Sequence, residues 1–94
     1  MHLGIYEFSG NPEELLPAYD RLMTTIPQGN ETWHLCAVRE DGITIFDTCP
    51  SEAVFQSFST NPAFHEAIEN AGLPTPKITG LAVHAARASQ TSTE

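Results

Sequence analysis

Residues 32–48 read TWHLCAVREDGITIFDT, and this stretch decides the fold because it predicts a β-hairpin. Residues 32–40 and 43–48 are rich in aromatic, aliphatic and β-branched side chains, a composition typical of strands. Asp41 and Gly42 lie between the two runs, and this dipeptide favours the two-residue turn of a hairpin. We therefore expect two antiparallel strands that are neighbours in one sheet.

Helices are predicted on both sides of the hairpin. A helix start is indicated wherever an oxygen-bearing side chain can cap the first turn, with proline or an acid close behind. We assign Asn11, Ser51 and Asn61 as such helix starts. The first helix is expected to end at residues 27–30 (PQGN). The other two pieces form a broken helix that ends at Gly72, which suits a helix C-terminus.

The first and last strands complete an α+β fold. Residues 3–8 and residues 77–86 are the two remaining β-rich runs, so the order is strand, helix, strand, strand, broken helix, strand. This β-α-β-β-α-β order is ferredoxin-like, with a four-stranded antiparallel sheet and the helices on one face. Because the strands are apolar on both faces, the second face needs a cover. A second copy provides one, and we expect a homodimer in which two sheets form an α/β barrel.

The domain boundaries follow from composition. Residues 1–86 carry apolar residues throughout, which predicts a single dimeric α/β-barrel domain. Residues 87–94 (RASQTSTE) contain no large apolar side chain, so we expect a disordered C-terminal tail.

Charge and targeting signals restrict the partners. The chain has 4 Lys and Arg against 12 Asp and Glu, a net charge of −8. Such a charge repels phosphate backbones and anionic lipids, so neither nucleic acid nor a membrane is an expected partner. No apolar run reaches the ~20 residues of a membrane span, and no basic region precedes an apolar stretch at the N-terminus. The 2 cysteines are read as reduced thiols, and the expected location is cytoplasmic.

Residues 32–58 (TWHLCAVREDGITIFDTCPSEAVFQSF) resemble the middle of the dimeric α/β-barrel superfamily, in its antibiotic-biosynthesis-monooxygenase-like branch. Asp47, Ser51 and Phe58 match the acid, the serine and the aromatic residue of that pattern, whereas Cys49 stands where a tryptophan is usual. The resemblance implies the barrel homodimer and one apolar pocket per subunit between the helices and the sheet. The superfamily holds enzymes, haem-degrading proteins and stress proteins.

The signatures of the better-known activities are missing. Quinone-forming, cofactor-free monooxygenases carry Asn, Trp and Tyr where this chain is placed to have Val54, Phe58 and Phe64. Haem-degrading members carry a Trp and a haem-ligating His at Phe58 and Ile68. The resemblance therefore implies no bound cofactor, and it does not imply a copy of the quinone-forming mechanism.

Four side chains that titrate or bind metals are predicted to cluster at the open end of the hairpin. A turn at Asp41-Gly42 places Cys36 opposite Asp47 and His34 opposite Cys49, with Cβ atoms roughly 5 Å apart. One hypothesis is a soft-metal site, although no two of these ligands share a tight turn. A second is acid–base catalysis, with His34 as base and Asp47 as its orienting partner. A third is that the four residues only pack and hydrogen-bond.

The remaining candidate residues are aromatic. Tyr19, Phe55, Phe58 and Phe64 recur at helical spacing and are expected to line the gap between helices and sheet, together with Cys36 and Cys49. The predicted function is binding of a hydrophobic or aromatic small molecule. It extends to a cofactor-independent monooxygenase-like or cyclase-like reaction on an aromatic or polyketide-like substrate. The alternative is a non-catalytic, stress-related or ligand-binding homodimer.

Overall fold

A computed structural model describes residues 1–26 and 33–87. The elements in chain order are β1 (His2–Ser9), α1 (Pro12–Thr25), β2 (His34–Arg39), β3 (Gly42–Cys49), α2 (Glu52–Ser59), α3 (Pro62–Ala71) and β4 (Lys77–Ala82). The four strands form one sheet in the order β2-β3-β1-β4, and each pair of neighbours is antiparallel. The predicted ferredoxin-like α+β fold is confirmed, including the break between α2 and α3.

The helices begin where the capping residues predict. The side-chain oxygens of Asn11, Ser51 and Asn61 each accept a hydrogen bond from a backbone N–H in the first turn, at 3.0, 3.2 and 2.9 Å. These bonds satisfy N–H groups that have no partner within the helix. Gly72 ends α3 with φ of 95°, a left-handed conformation that glycine adopts at little cost. Helix α1 ends at Thr25, and the predicted end at residues 27–30 lies outside the described residues.

The hairpin turn is one residue earlier than predicted. Arg39 pairs with Gly42, so Glu40 and Asp41 form the turn and Gly42 opens β3. The expected facing pairs are therefore wrong: His34 lies opposite Asp47, and Cys36 opposite Ile45 instead of Asp47.

The reason for this shift is the neighbouring strand. Gly42 also pairs with Ser9 of β1, and a Cβ atom at position 42 would collide with the carbonyl oxygen of Phe8. The glycine is therefore required by the close approach of β1. Because the pairing moves by two positions, each side chain stays on its predicted face. The four clustered side chains therefore face other residues than predicted, but they lie on the predicted side of the sheet.

Two strand boundaries also differ from the prediction. Strand β4 ends at Ala82, so residues 83–86 were wrongly included in it, although the N–H of Val83 still bonds the carbonyl of Met1 at 3.0 Å. Strand β1 extends from His2 to Ser9, one residue further at each end than predicted. Residue 32, the predicted start of the second strand, and residues 88–94 of the predicted tail lie outside the described residues.

The two faces of the sheet have different surroundings. On one face the core is formed with the helices, and its largest fully buried side chains are Tyr6, Phe8, Leu22 and Ile43. The other face is open and exposes Leu35 and Leu81, which are 57% and 50% accessible. A groove of about 330 Å³ lies on this open face, lined by Met1, Leu3, Trp33, Leu35, Phe46, Thr48, Val83, Ala86 and Arg87. Within residues 1–26 and 33–87, no helix is long and apolar enough to cross a membrane.

Candidate functional site

Three side chains from three elements form a hydrogen-bonded chain on the helix-covered face. Nδ1 of His34 on β2 forms a hydrogen bond with Oδ1 of Asp47 on β3. Nε2 of the same imidazole lies 2.6 Å from the hydroxyl of Tyr19 on α1. The Tyr19 and His34 rings are stacked, with centroids 6.0 Å apart and planes 15° from parallel. Both nitrogens of the imidazole are therefore occupied.

The carboxylate determines which nitrogen carries the proton. An ionised Asp47 only accepts hydrogen bonds, so Nδ1 of His34 donates to it. In the neutral imidazole Nε2 is then the acceptor, and the hydroxyl of Tyr19 donates to it. The sheet register fixes this arrangement because His34 and Asp47 are directly opposed on neighbouring strands. The side chains of His34 and Asp47 remain 27% and 18% accessible, so a ligand can approach this chain of groups.

The surroundings keep Tyr19 protonated at neutral pH. Burial raises the pKa of its hydroxyl above the ordinary value of 10.0, and the negative forms of Cys36, Asp47 and Asp20 raise it further. Tyr19 is therefore a hydrogen-bond donor that resists ionisation. The pKa of the Cys36 thiol is also raised, first by burial and then by Asp20. A protonated thiol is a poor nucleophile, so Cys36 is suited to packing beside the site.

Tyr6 lies deeper on the same face, and the sequence pattern did not assign it a role. Its side chain is 1% accessible, and its hydroxyl has no hydrogen-bond partner among the described residues. Burial raises the pKa of this phenol far above 10.0, and Asp47 and Cys49 add to the effect. The alternation of residues along β1, which puts Tyr6 on the same face as Phe8, is the signal that could have placed it inward.

The three predicted phenylalanines lie around Tyr6 and not around Tyr19, the fourth predicted aromatic residue. Phe55 and Phe64 are buried, and Phe58 is partly buried. The Tyr6 ring meets Phe64 and Phe58 edge-on, with centroids 5.6 and 6.3 Å apart. The centroid of the Phe55 ring lies 6.5 Å from that of the Tyr6 ring. These contacts are the edge-to-face packing expected of a core, and they also form an apolar wall around a buried hydroxyl.

The two cysteines stay close to the chain of polar groups and are not bonded to each other. Neither Cys36 nor Cys49 forms a disulfide, and both are partly buried. Cys49 pairs with His2 across β1 and β3, whereas Cys36 pairs with Ile45. In the part of the chain that the structure describes, no three side chains of His, Cys, Asp or Glu are arranged to hold a metal ion.

Comparison with solved structures supports the fold. The chain is similar to the crystal structure of a putative antibiotic biosynthesis monooxygenase from Deinococcus radiodurans, with a TM-score of 0.64 and 13% sequence identity. The match covers 97% of this chain and 100% of that one. No family model matches the sequence, and no curated protein does either. The likeness confirms the predicted ferredoxin-like α+β fold.

Proposed function

We propose that this protein binds an aromatic or polyketide-like small molecule and removes a proton from its phenol or enol group. The observation that carries the proposal is the hydrogen-bonded chain Tyr19–His34–Asp47. An imidazole oriented by a carboxylate is a common general base near neutral pH. The shared fold with the Deinococcus protein is compatible with a monooxygenase-like reaction.

The proton moves along the chain in one concerted step. The ligand O–H bond breaks, and its proton passes to Oη of Tyr19 while the original proton of Tyr19 passes to Nε2 of His34. The resulting imidazolium is stabilised by the carboxylate of Asp47, at a site where partial burial strengthens the attraction. Tyr19 is never left as a free phenolate, which its raised pKa would oppose.

The anion formed in this step has two outcomes that need no bound cofactor. An enolate carbon attacks an internal carbonyl to close a ring, or it reacts with O₂. In the second case, oxidation of a methylene to a ketone consumes one O₂ and releases one water. Both outcomes share the deprotonation, and cyclisation and cofactor-independent monooxygenation are therefore the two reaction classes proposed.

We also propose that the protein is a homodimer that closes the open face of the sheet. The groove on this face is apolar, and Leu35 and Leu81 beside it are exposed. The strands place a single acid, Glu7, on this face, although the chain carries a net charge of −8. Two such chains repel each other least where acids are scarce, which favours this face as the contact.

Binding of 1-naphthol tests the proton transfer, because absorbance distinguishes the naphthol from its anion. We expect the bound probe to ionise at a lower pH than the free probe with the wild-type protein. Tyr19→Phe and Asp47→Asn should abolish this shift, whereas Asp41→Asn, which removes an exposed turn carboxylate, should retain it. Equal binding without any shift in ionisation would favour the non-catalytic alternative.

A further inference from the structure

The buried hydroxyl of Tyr6 carries an inference beyond the proton transfer. It has no hydrogen-bond partner within residues 1–26 and 33–87, and the residue is 1% accessible. A buried polar group without a partner costs free energy, and such groups are rare in folded proteins. A phenylalanine at this position would keep the packing without that cost. The hydroxyl therefore points to a function.

The sheet makes room for this hydroxyl. A Cβ atom at Gly4 would lie 2.8 Å from the Tyr6 oxygen and 2.9 Å from Cε1 of Phe55. Gly4 pairs with Gly80 on β4, where a Cβ atom would also meet the Phe55 ring. Two facing glycines thus form a shallow floor, and the Tyr6 hydroxyl and the Phe55 ring rest on it.

The position of the floor connects Tyr6 to the candidate site. Gly4 pairs on its other side with Asp47, the carboxylate that orients His34. The side chains of Tyr6 and Asp47 face the same side of the sheet, and Asp47 is close enough to influence the titration of Tyr6. The hydroxyl of Tyr6 therefore lies on the opposite side of Asp47 from the imidazole.

We propose that the hydroxyl of Tyr6 donates a hydrogen bond to an oxygen of the bound aromatic ligand. Of the three phenylalanine rings that contact Tyr6, Phe58 is the least buried, and we expect a ligand to enter on its side. A neutral phenol in an apolar surrounding stabilises a ligand carbonyl, and it stabilises an enolate or phenolate oxygen more strongly. This inference deepens the proposed function and relies on it for the aromatic class of the ligand.

Three naphthalene probes separate the contribution of the ligand oxygen from those of the ligand proton and of apolar packing. 1-Naphthol has an oxygen and a proton to give, 1-methoxynaphthalene has the oxygen only, and 1-methylnaphthalene has neither. Tyr6→Phe should weaken binding of 1-methoxynaphthalene by about 10-fold, the effect of one hydrogen bond to a buried group. The single oxygen of 1-naphthol can be held at Tyr19 instead, so its binding should weaken less. Binding of 1-methylnaphthalene should be unchanged. Equal weakening of all three would mean that the substitution altered packing, and it would overturn the inference.

Two further measurements do not depend on the affinity of the variant. The melting temperature of ligand-free Tyr6→Phe should equal or exceed that of the wild type, because an unsatisfied group is removed. A lower melting temperature would show that the hydroxyl is already bonded in the free protein and would overturn the inference. In wild-type protein labelled with ¹³C at tyrosine Cζ, 1-methoxynaphthalene should shift the Tyr6 signal and 1-methylnaphthalene should not. The absence of a difference would also overturn it.

The outcomes distinguish this inference from the proposed function. If Tyr6→Phe shows no selectivity for oxygen but Tyr19→Phe abolishes ionisation of bound 1-naphthol, the Tyr6 inference is wrong and the proton transfer stands. If Tyr6→Phe is selective but Tyr19→Phe leaves the ionisation unchanged, the proton transfer is wrong and Tyr6 keeps its role. Failure of all three naphthalenes to bind at concentrations up to their solubility limits would overturn both.

Discussion

The two faces of the sheet share the same strands and differ in what covers them. One face packs against three helices and holds nearly all of the buried apolar side chains, together with the polar chain of Tyr19, His34 and Asp47. The other carries an apolar groove and exposed leucines that none of the described residues covers. The comparison teaches that one face supplies the buried core of a single copy and carries the residues of the proposed proton transfer. The other face is the one that we propose holds two copies together.

Core truncations on the two faces should differ most clearly. Phe8→Ala removes a ring that is 1% accessible, and we expect it to lower the free energy of unfolding by about 3–5 kcal/mol at any protein concentration. Phe46→Ala removes a ring from the open face, and its cost should grow with protein concentration because dimerisation completes its burial. Chemical unfolding at several protein concentrations checks both. The same cost for Phe46→Ala at every concentration would contradict the assignment of this face to the dimer.

A charge on the open face should separate the two copies. Leu35→Asp introduces a carboxylate among apolar groove residues, and we expect the dimer to weaken by at least about 100-fold, on the order of 3 kcal/mol. Val54→Asp is the matched control, because Val54 is an exposed aliphatic residue on α2 and does not lie on the sheet. Light scattering coupled to size-exclusion chromatography measures the mass of each. A Leu35→Asp dimer as stable as wild type would place the interface elsewhere.

On the helix-covered face, removal of the Asp47 carboxylate should destabilise the protein because His34 loses its hydrogen-bond acceptor. Asp47→Asn removes the charged acceptor of the Nδ1–H of His34, and we expect stability to fall by about 1–3 kcal/mol. Asp41→Asn changes an exposed carboxylate in the hairpin turn and should cost less than about 1 kcal/mol. Thermal and urea unfolding of both variants provide the comparison. Equal small effects would mean that the His34–Asp47 bond contributes little to the fold.

Alkaline pH should destabilise the protein through the two inward tyrosines. The pKa of Tyr6 is raised in the folded state, so the folded protein binds the phenolic proton more tightly than the unfolded chain does. The stability from this effect is complete below about pH 10 and is lost as pH rises above the pKa of the unfolded chain. We expect Tyr6→Phe to lose less stability than wild type between pH 9 and pH 11. Tyr19→Phe, which removes the less buried phenol, should show a smaller difference. Parallel curves for Tyr6→Phe and wild type would contradict the burial of the phenol.

Much of the fold could be predicted because the signals are local. The capping oxygens of Asn11, Ser51 and Asn61 act within one turn of helix, and the alternation along β2 and β3 assigns side chains to faces. The hairpin turn was predicted one residue too late because the position of Gly42 depends on its contact with the carbonyl of Phe8, which is remote in sequence. Local turn preference could not report that contact.

The candidate site was predictable in part for the same reason. His34 and Asp47 lie on adjacent strands, so strand pairing placed them close together, although the register was wrong by two positions. The contact of Tyr19 with His34 depends on how α1 crosses the edge of the sheet, which no local pattern reports. The sequence pattern did not assign Tyr6 a role, and its lack of a partner among the described residues distinguishes it.

The protonation state of His34 tests the central claim most directly. In protein labelled with ¹⁵N at histidine, the four imidazoles can be assigned with the help of His34→Ala. Without ligand we predict that the neutral form of His34 carries its proton on Nδ1. Saturation with 1-naphthol at neutral pH should raise the fraction of doubly protonated His34, whereas 1-methoxynaphthalene, which has no proton to give, should leave that fraction unchanged. An unchanged fraction in the presence of bound 1-naphthol would contradict proton transfer through Tyr19 and His34.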